Sequence, residues 1–187
     1  MQIKDGGILI ISGPRTGSSN LLKSIGSAYN KKSVYEPNMI EQKPPYDSSK
    51  DVVKIVPTWW RYLSKGYDLL PPAKEFNTVV LLSRRNREEQ LESLYVFGKY
   101  HKTPYEKWGT EKEIDKKSDS WKRLKSWLNR LDIVLNKLSE DLNIPIDYYE
   151  DVYKNKTLSN KDIKLDLEYL NPKYKLRQVN SNKSILI

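Results

Sequence analysis

The sequence predicts a three-layer α/β domain, with a mostly parallel central sheet flanked by helices. Three observations carry this expectation. Short apolar runs at residues 7–12, 51–56 and 78–83 lack polar alternation, apart from one lysine, as strands buried on both faces do. Stretches with helical apolar spacing lie between and after them. The 187 residues suffice for one core but would divide into two small ones, so one domain spanning residues 1–187 is expected.

Each element follows from its pattern. After the opening strand comes a Gly/Ser turn, and then residues 20–29 place apolar side chains at 21, 22, 25 and 28, a helical spacing. The run 51–56 reads as a second strand stopped by Pro57, and 78–83 as a third. Residues 86–101 read as a helix with acids at 88 and 89 near its start. Residues 102–119 are polar and lysine-rich and read as an exposed loop. The clearest helix is 120–142, where Trp121, Leu124, Trp127, Leu128, Leu131, Val134, Leu135, Leu138 and Leu142 recur at three- and four-residue steps; the stripe reads as core packing. Residues 144–149 look like a fourth strand. The tail from 152 is mixed and polar, with a helix expected near 160–170.

Composition removes several function classes. There is no cysteine, hence no disulfide, thiolate metal site or cysteine nucleophile, and the single histidine, His101, excludes a multi-histidine metal site. No apolar run approaches the length of a membrane span, and no secretion signal is evident, so a cytoplasmic protein with no membrane partner is expected. The net charge of +9 points to an anionic partner. The 25 lysines are dispersed, whereas five of the eight arginines fall in three short segments: Arg15, then Arg84, Arg85 and Arg87, then Arg177. Arginine gives planar, multi-donor recognition of phosphate-like groups.

The first turn reads Gly13-Pro14-Arg15-Thr16-Gly17-Ser18-Ser19-Asn20 between a strand and a helix. Glycines allow tight angles and close approach of an anion, successive backbone N–H groups can converge at the positive end of the helix, and three hydroxyls and Arg15 add donors. The unit is P-loop-like in position, but departs from the nucleoside-triphosphate pattern. Its glycines are one residue too close, Ser18 stands where the lysine belongs, and no metal-holding Asp ends the third strand. An anion handled without a metal is expected.

At these residues the sequence resembles the sulfotransferases that use 3′-phosphoadenosine-5′-phosphosulfate (PAPS), most closely those acting on carbohydrates. Pro14-Arg15-Thr16-Gly17-Ser18-Ser19 matches the loop that binds the 5′-phosphosulfate in that family, and Asn20 follows it. The family pairs an arginine at a strand end with a serine eight residues later to grip the 3′-phosphate; Arg85 and Ser93 have that spacing, with Arg84 as the competing choice. Tyr35-Glu36-Pro37, Tyr149-Glu150-Asp151-Val152 and Arg177-Gln178 match further family segments in family order. Asn20 departs from the aromatic residue common there, so adenine stacking must come from elsewhere.

The resemblance implies transfer of a sulfuryl group from PAPS to a hydroxyl acceptor, a small molecule or glycan, leaving 3′,5′-bisphosphoadenosine. Arg15 is then the candidate for stabilising the leaving phosphate, and Glu36 the candidate base, with His101 its rival. Arg177 and Gln178 join the cofactor set. Lys54, which interrupts an apolar run, marks either the acceptor site or an edge strand or strand end. Trp59, Trp60, Tyr105 and Trp108 either stack on a sugar or belong to the core. Glu150 and Asp151 read as caps of a helix beginning after the fourth strand. Two alternatives stay open: a P-loop kinase or nucleotidase drifted from its motif, and a nucleic-acid binder, the latter disfavoured because the lysines are dispersed and no groove-reading motif is visible.

Overall fold

The computed structural model describes residues 6–37, 45–57, 69–100 and 114–153. Trp59, Trp60, His101, Tyr105, Trp108, Arg177, Gln178 and the helix expected near 160–170 lie outside them. The described elements are β1 (Ile8–Ser12), α1 (Ser18–Ala28), β2 (Ser33–Tyr35), β3 (Val52–Ile55), α2 (Leu70–Lys74), β4 (Thr78–Ser83), α3 (Arg87–Tyr100), α4 (Asp119–Leu142), β5 (Ile146–Tyr148) and α5 (Tyr149–Val152).

The strands form one all-parallel sheet in the order β2-β3-β1-β4-β5. β1, β3 and β4 are buried along their whole length, which is why their sequences run apolar without alternation. Four strands were expected. The fifth, β2, has only three residues, one of them exposed, and carries too little pattern to be seen in sequence. It takes the edge, so Lys54 lies on an internal strand and the edge-strand reading of that lysine falls.

Helices cover both faces. Strand side chains alternate, so Leu9, Ile11, Val53, Ile55, Val79 and Leu81 meet Leu69 at the start of α2, Ala73 within it, and Leu135, Leu138 and Leu142 of α4. On the other face Ile8, Ile10, Val52, Val80 and Leu82 meet Leu21, Leu22 and Ile25 of α1, together with Val152 and Tyr153. Burying each such side chain contributes about 1.5–3 kcal/mol against leaving it exposed. α3 lies on α4 through a separate cluster of Leu91, Leu94, Tyr95, Trp121, Leu128 and Leu131. The apolar stripe of α4 is therefore core, as its spacing predicts. The helix is capped by the Ser118 hydroxyl, which accepts from the Trp121 N–H, and ends at Asn143 in the left-handed conformation. No helix among the described residues is long and apolar enough to cross a membrane.

Candidate functional site

In open parallel sheets ligands bind beyond the carboxyl ends of the strands, where neighbouring connections diverge. Here that point lies at β1 and β4: the chain leaves β1 toward β2 on one side, and leaves β4 toward β5 on the other. The two segments emerging there are the turn 13–17 and residues 84–86.

The turn is held from several directions. Gly13 N–H donates to Leu82 O at 3.3 Å. Gln90, fully buried on α3, donates to Pro14 O at 2.6 Å. Thr16 is buried and its hydroxyl donates to Gly13 O at 2.9 Å, so it is spent inside the turn rather than offered to an anion as expected. Gly17 caps α1 at φ 72°, and a Cβ there would lie 2.8 Å from the Tyr153 ring, so both conformation and space demand glycine. Among the described residues, the backbone N–H groups of Thr16, Gly17, Ser18 and Ser19 donate to no protein acceptor. They lie at the amino end of an eleven-residue helix, the arrangement that favours an anion.

Arg15 adopts φ 58°, and the Nε of its exposed side chain donates to Ser93 Oγ on α3 at 2.9 Å. The first loop and the serine of the second block are thus in direct contact. The two arginines after β4 part company. Arg84 is buried, donates to Arg15 O at 3.4 Å, pairs with Glu89 at 2.5 Å and lies 4.8 Å over the Tyr149 ring. Its Nε makes no hydrogen bond. Arg85, the one matched by spacing, is half-exposed; it meets Asp151 through two 2.6 Å hydrogen bonds and covers the Tyr148 ring at 4.3 Å.

Glu150 and Asp151 lie in the first turn of α5, but their hydrogen bonds reach across to residues 85 and 86. Glu150 accepts from the backbone N–H of Arg85 and Asn86 at 3.0 and 2.9 Å, so it caps the approach to α3, 64 residues away from Asn86. Burial raises its pKa, but those two N–H groups, its own backbone N–H and Arg84 outweigh burial and bring it below the ordinary carboxylate value. Asn86 completes the cap, its Oδ1 accepting from Glu89 N–H and its amide donating to the Glu89 carboxylate.

A third group forms at the ends of β2 and β3. Lys54 is buried at 4% exposure, donates to Ser19 Oγ at 3.0 Å and pairs with Glu36 at 2.9 Å. Glu36 sits at φ 42° with its N–H on Lys54 O at 2.8 Å, so one lysine holds both the backbone and the carboxylate of a residue in a costly conformation. Lys54 therefore links the base candidate to the first turn of α1. Asn20 lies in that first turn, its N–H on Gly17 O.

Pro14, Arg15, Thr16, Gly17, Ser18, Ser19, Asn20, Glu36, Lys54 and Ser93 thus gather around the carboxyl ends of β1, β2 and β3, with Arg85 turned aside to Asp151. Sequence reasoning gave no role to Gln90 or Tyr153 and did not foresee the contact of Tyr149 with Arg84; these contacts span long stretches of chain and leave no local signal. Ser12 was also missed; its hydroxyl is fully buried at the end of β1 and has no hydrogen-bond partner. No protein-family model matches the chain, and no curated protein or solved structure is significantly similar to it.

Proposed function

We propose that the protein is a PAPS-dependent sulfotransferase acting on a hydroxyl acceptor, with a carbohydrate favoured. The observation that carries this reading is the 2.9 Å hydrogen bond from Arg15 to Ser93. The resemblance assigns these two residues to opposite ends of one nucleotide, and they were drawn from sequence segments 78 positions apart. Their contact supports a single ligand meeting both.

In this reading the N–H groups of residues 16–19 and Arg15 hold the phosphosulfate. An acceptor oxygen attacks sulfur, forming the new S–O bond as the S–O bond to phosphate breaks, and the bonding pair leaves on the phosphate oxygen of 3′,5′-bisphosphoadenosine. The acceptor proton passes to the Glu36 carboxylate. Catalysis then rests on positioning and on stabilising charge at the leaving oxygen. Lys54 holds Glu36 toward the turn, and its third N–H is available to an oxygen of the reacting groups. Ser93 meets the ribose phosphate together with an arginine. Arg84 is already against the turn, whereas Arg85 would exchange its Asp151 partner to take part.

The test is thermal unfolding with added ligands. Bisphosphoadenosine is expected to raise the melting temperature, by more than ATP with magnesium does, and Arg15→Ala and Ser93→Ala are each expected to diminish the shift. A larger shift with ATP–magnesium would favour a kinase or nucleotidase, and no shift with bisphosphoadenosine at millimolar concentration would remove the reading.

A further inference from the structure

A cleft of about 460 Å³ opens at the carboxyl ends of β4 and β5 and is walled by α4. Its size is that of a small-molecule site. It stands on the face of the sheet where α4 packs, whereas α1 and the Gly17 turn belong with the opposite face. Arg84 contributes to its wall and is the link between the two regions.

The chemistry of the cleft is distinct from that of the turn. Three guanidinium groups line it, and each is already matched by a carboxylate: Arg84 by Glu89, Arg85 by Asp151 and Arg87 by Asp132. Arg87 is further engaged with Ser83 Oγ at 3.0 Å. The wall therefore carries little uncompensated charge to hold a phosphate or carboxylate. The polar groups left to a ligand are neutral or singly occupied. Among the described residues the Asn136 amide and the Tyr148 hydroxyl have no protein hydrogen bond, and only one oxygen of Asp132 is paired with Arg87. Asp132 and Asn136 are four residues apart on α4 and so share one face of the helix. The Tyr148 ring with the Arg85 guanidinium over it at 4.3 Å forms a flat plate, and Ile146, two residues earlier on the same face of β5, adds an apolar surface.

We propose that this cleft binds a neutral sugar ring. A pyranose offers an apolar C–H face to a flat side chain, and its hydroxyls, each a donor and an acceptor, suit a planar amide and a carboxylate set side by side. The inference does not depend on sulfuryl transfer, because it concerns binding of the sugar alone.

The test is a titration of the full chain, followed by ¹H–¹⁵N correlation spectra, with neutral methyl pyranosides, uncharged nucleosides and inorganic phosphate in separate arms. Pyranosides are expected to move the amides of residues 83–87, 132–136 and 146–148 while leaving those of 16–19 in place. Asn136→Trp fills the cleft from an exposed helix position; it is expected to weaken sugar binding about tenfold or more with an unchanged circular dichroism spectrum. The proposal is overturned by no response to any pyranoside at millimolar concentration, by unchanged sugar affinity in a folded Asn136→Trp protein, or by a cleft that responds to nucleosides or phosphate and not to sugars.

Discussion

The Tyr153 hydroxyl donates a 2.6 Å hydrogen bond to the carbonyl of Gly17, 136 residues earlier in the chain. The Tyr149 ring lies 4.8 Å from that of Tyr153 and carries Arg84 on its face. Glu150 holds the backbone of residues 85 and 86. One short segment, 149–153, thus holds both loops that emerge at the carboxyl ends of β1 and β4. Tyr153→Phe is expected to cost about 1 kcal/mol, the net worth of one hydrogen bond, as measured by urea unfolding. Gly17→Ala is expected to cost more, about 2–4 kcal/mol, since it adds a left-handed alanine to a Cβ contact with the Tyr153 ring.

Lys54→Met keeps the length of the side chain and removes its charge. Glu36, about half-exposed, regains water when the ion pair is lost, so the change in stability is expected to stay within about 1 kcal/mol. On the proposed sulfotransferase reading, sulfuryl transfer is expected to fall about a hundredfold or more, because the ammonium that fixes Glu36 is gone. A stable Lys54→Met protein with full turnover would strip Lys54 of that role.

Arg15→Ala removes a donor aimed at the site from an exposed position and leaves the core intact. If the proposed reading holds, kcat/KM for sulfuryl transfer is expected to drop by about two orders of magnitude, equivalent to about 3 kcal/mol of transition-state stabilisation. On the same proposed reading, Arg85→Ala and Arg84→Ala tell which arginine would meet the ribose phosphate: the substitution that removes it is expected to raise the bisphosphoadenosine dissociation constant.

Glu150 gives the loops a dependence on acid. Its carboxyl titrates below the ordinary value in the folded protein, so the unfolded chain takes up its proton first as pH falls. Its contribution to stability is fully present above the unfolded pKa, near 4.3, and is lost as pH drops through the lower folded value. Glu150→Gln is expected to be less stable at neutral pH, with the difference from the parent narrowing in acid, as followed by denaturant melts across that range.

Leu135→Ala removes a side chain 1% exposed from the layer between α4 and the sheet. A loss of about 2–5 kcal/mol is expected, by calorimetry or denaturant unfolding. Ile133→Ala, at a position 66% exposed on the same helix, is expected to change stability by less than about 0.5 kcal/mol.

The buried strands β1, β3 and β4 and the helix α4 were legible because burial on both faces and helical periodicity leave marks on consecutive residues. β2 was not, being three residues at an edge. α2 was hidden by its two prolines, Pro71 and Pro72, which sit at the helix start where their missing N–H groups cost nothing. In the site, the turn could be read from Gly13 to Ser19 as one contiguous segment. The inward rotation of Thr16, the divergence of Arg84 from Arg85 and the attachment of Gly17 to Tyr153 could not, since each depends on a neighbour far away in the chain.

By itself the amino-acid order determined the strands β1, β3 and β4 and their interior place, the helices α1, α3 and α4, and that a glycine-bounded turn with an arginine opens the first helix. These are properties of local conformation and hydrophobic burial. Tertiary structure alone decided that Arg15 reaches Ser93, that Lys54 joins Glu36 to Ser19, and that Glu150 caps a helix other than its own. Strand order brings those residues together, and the pairing of strands is a choice among distant segments whose energy no local pattern records.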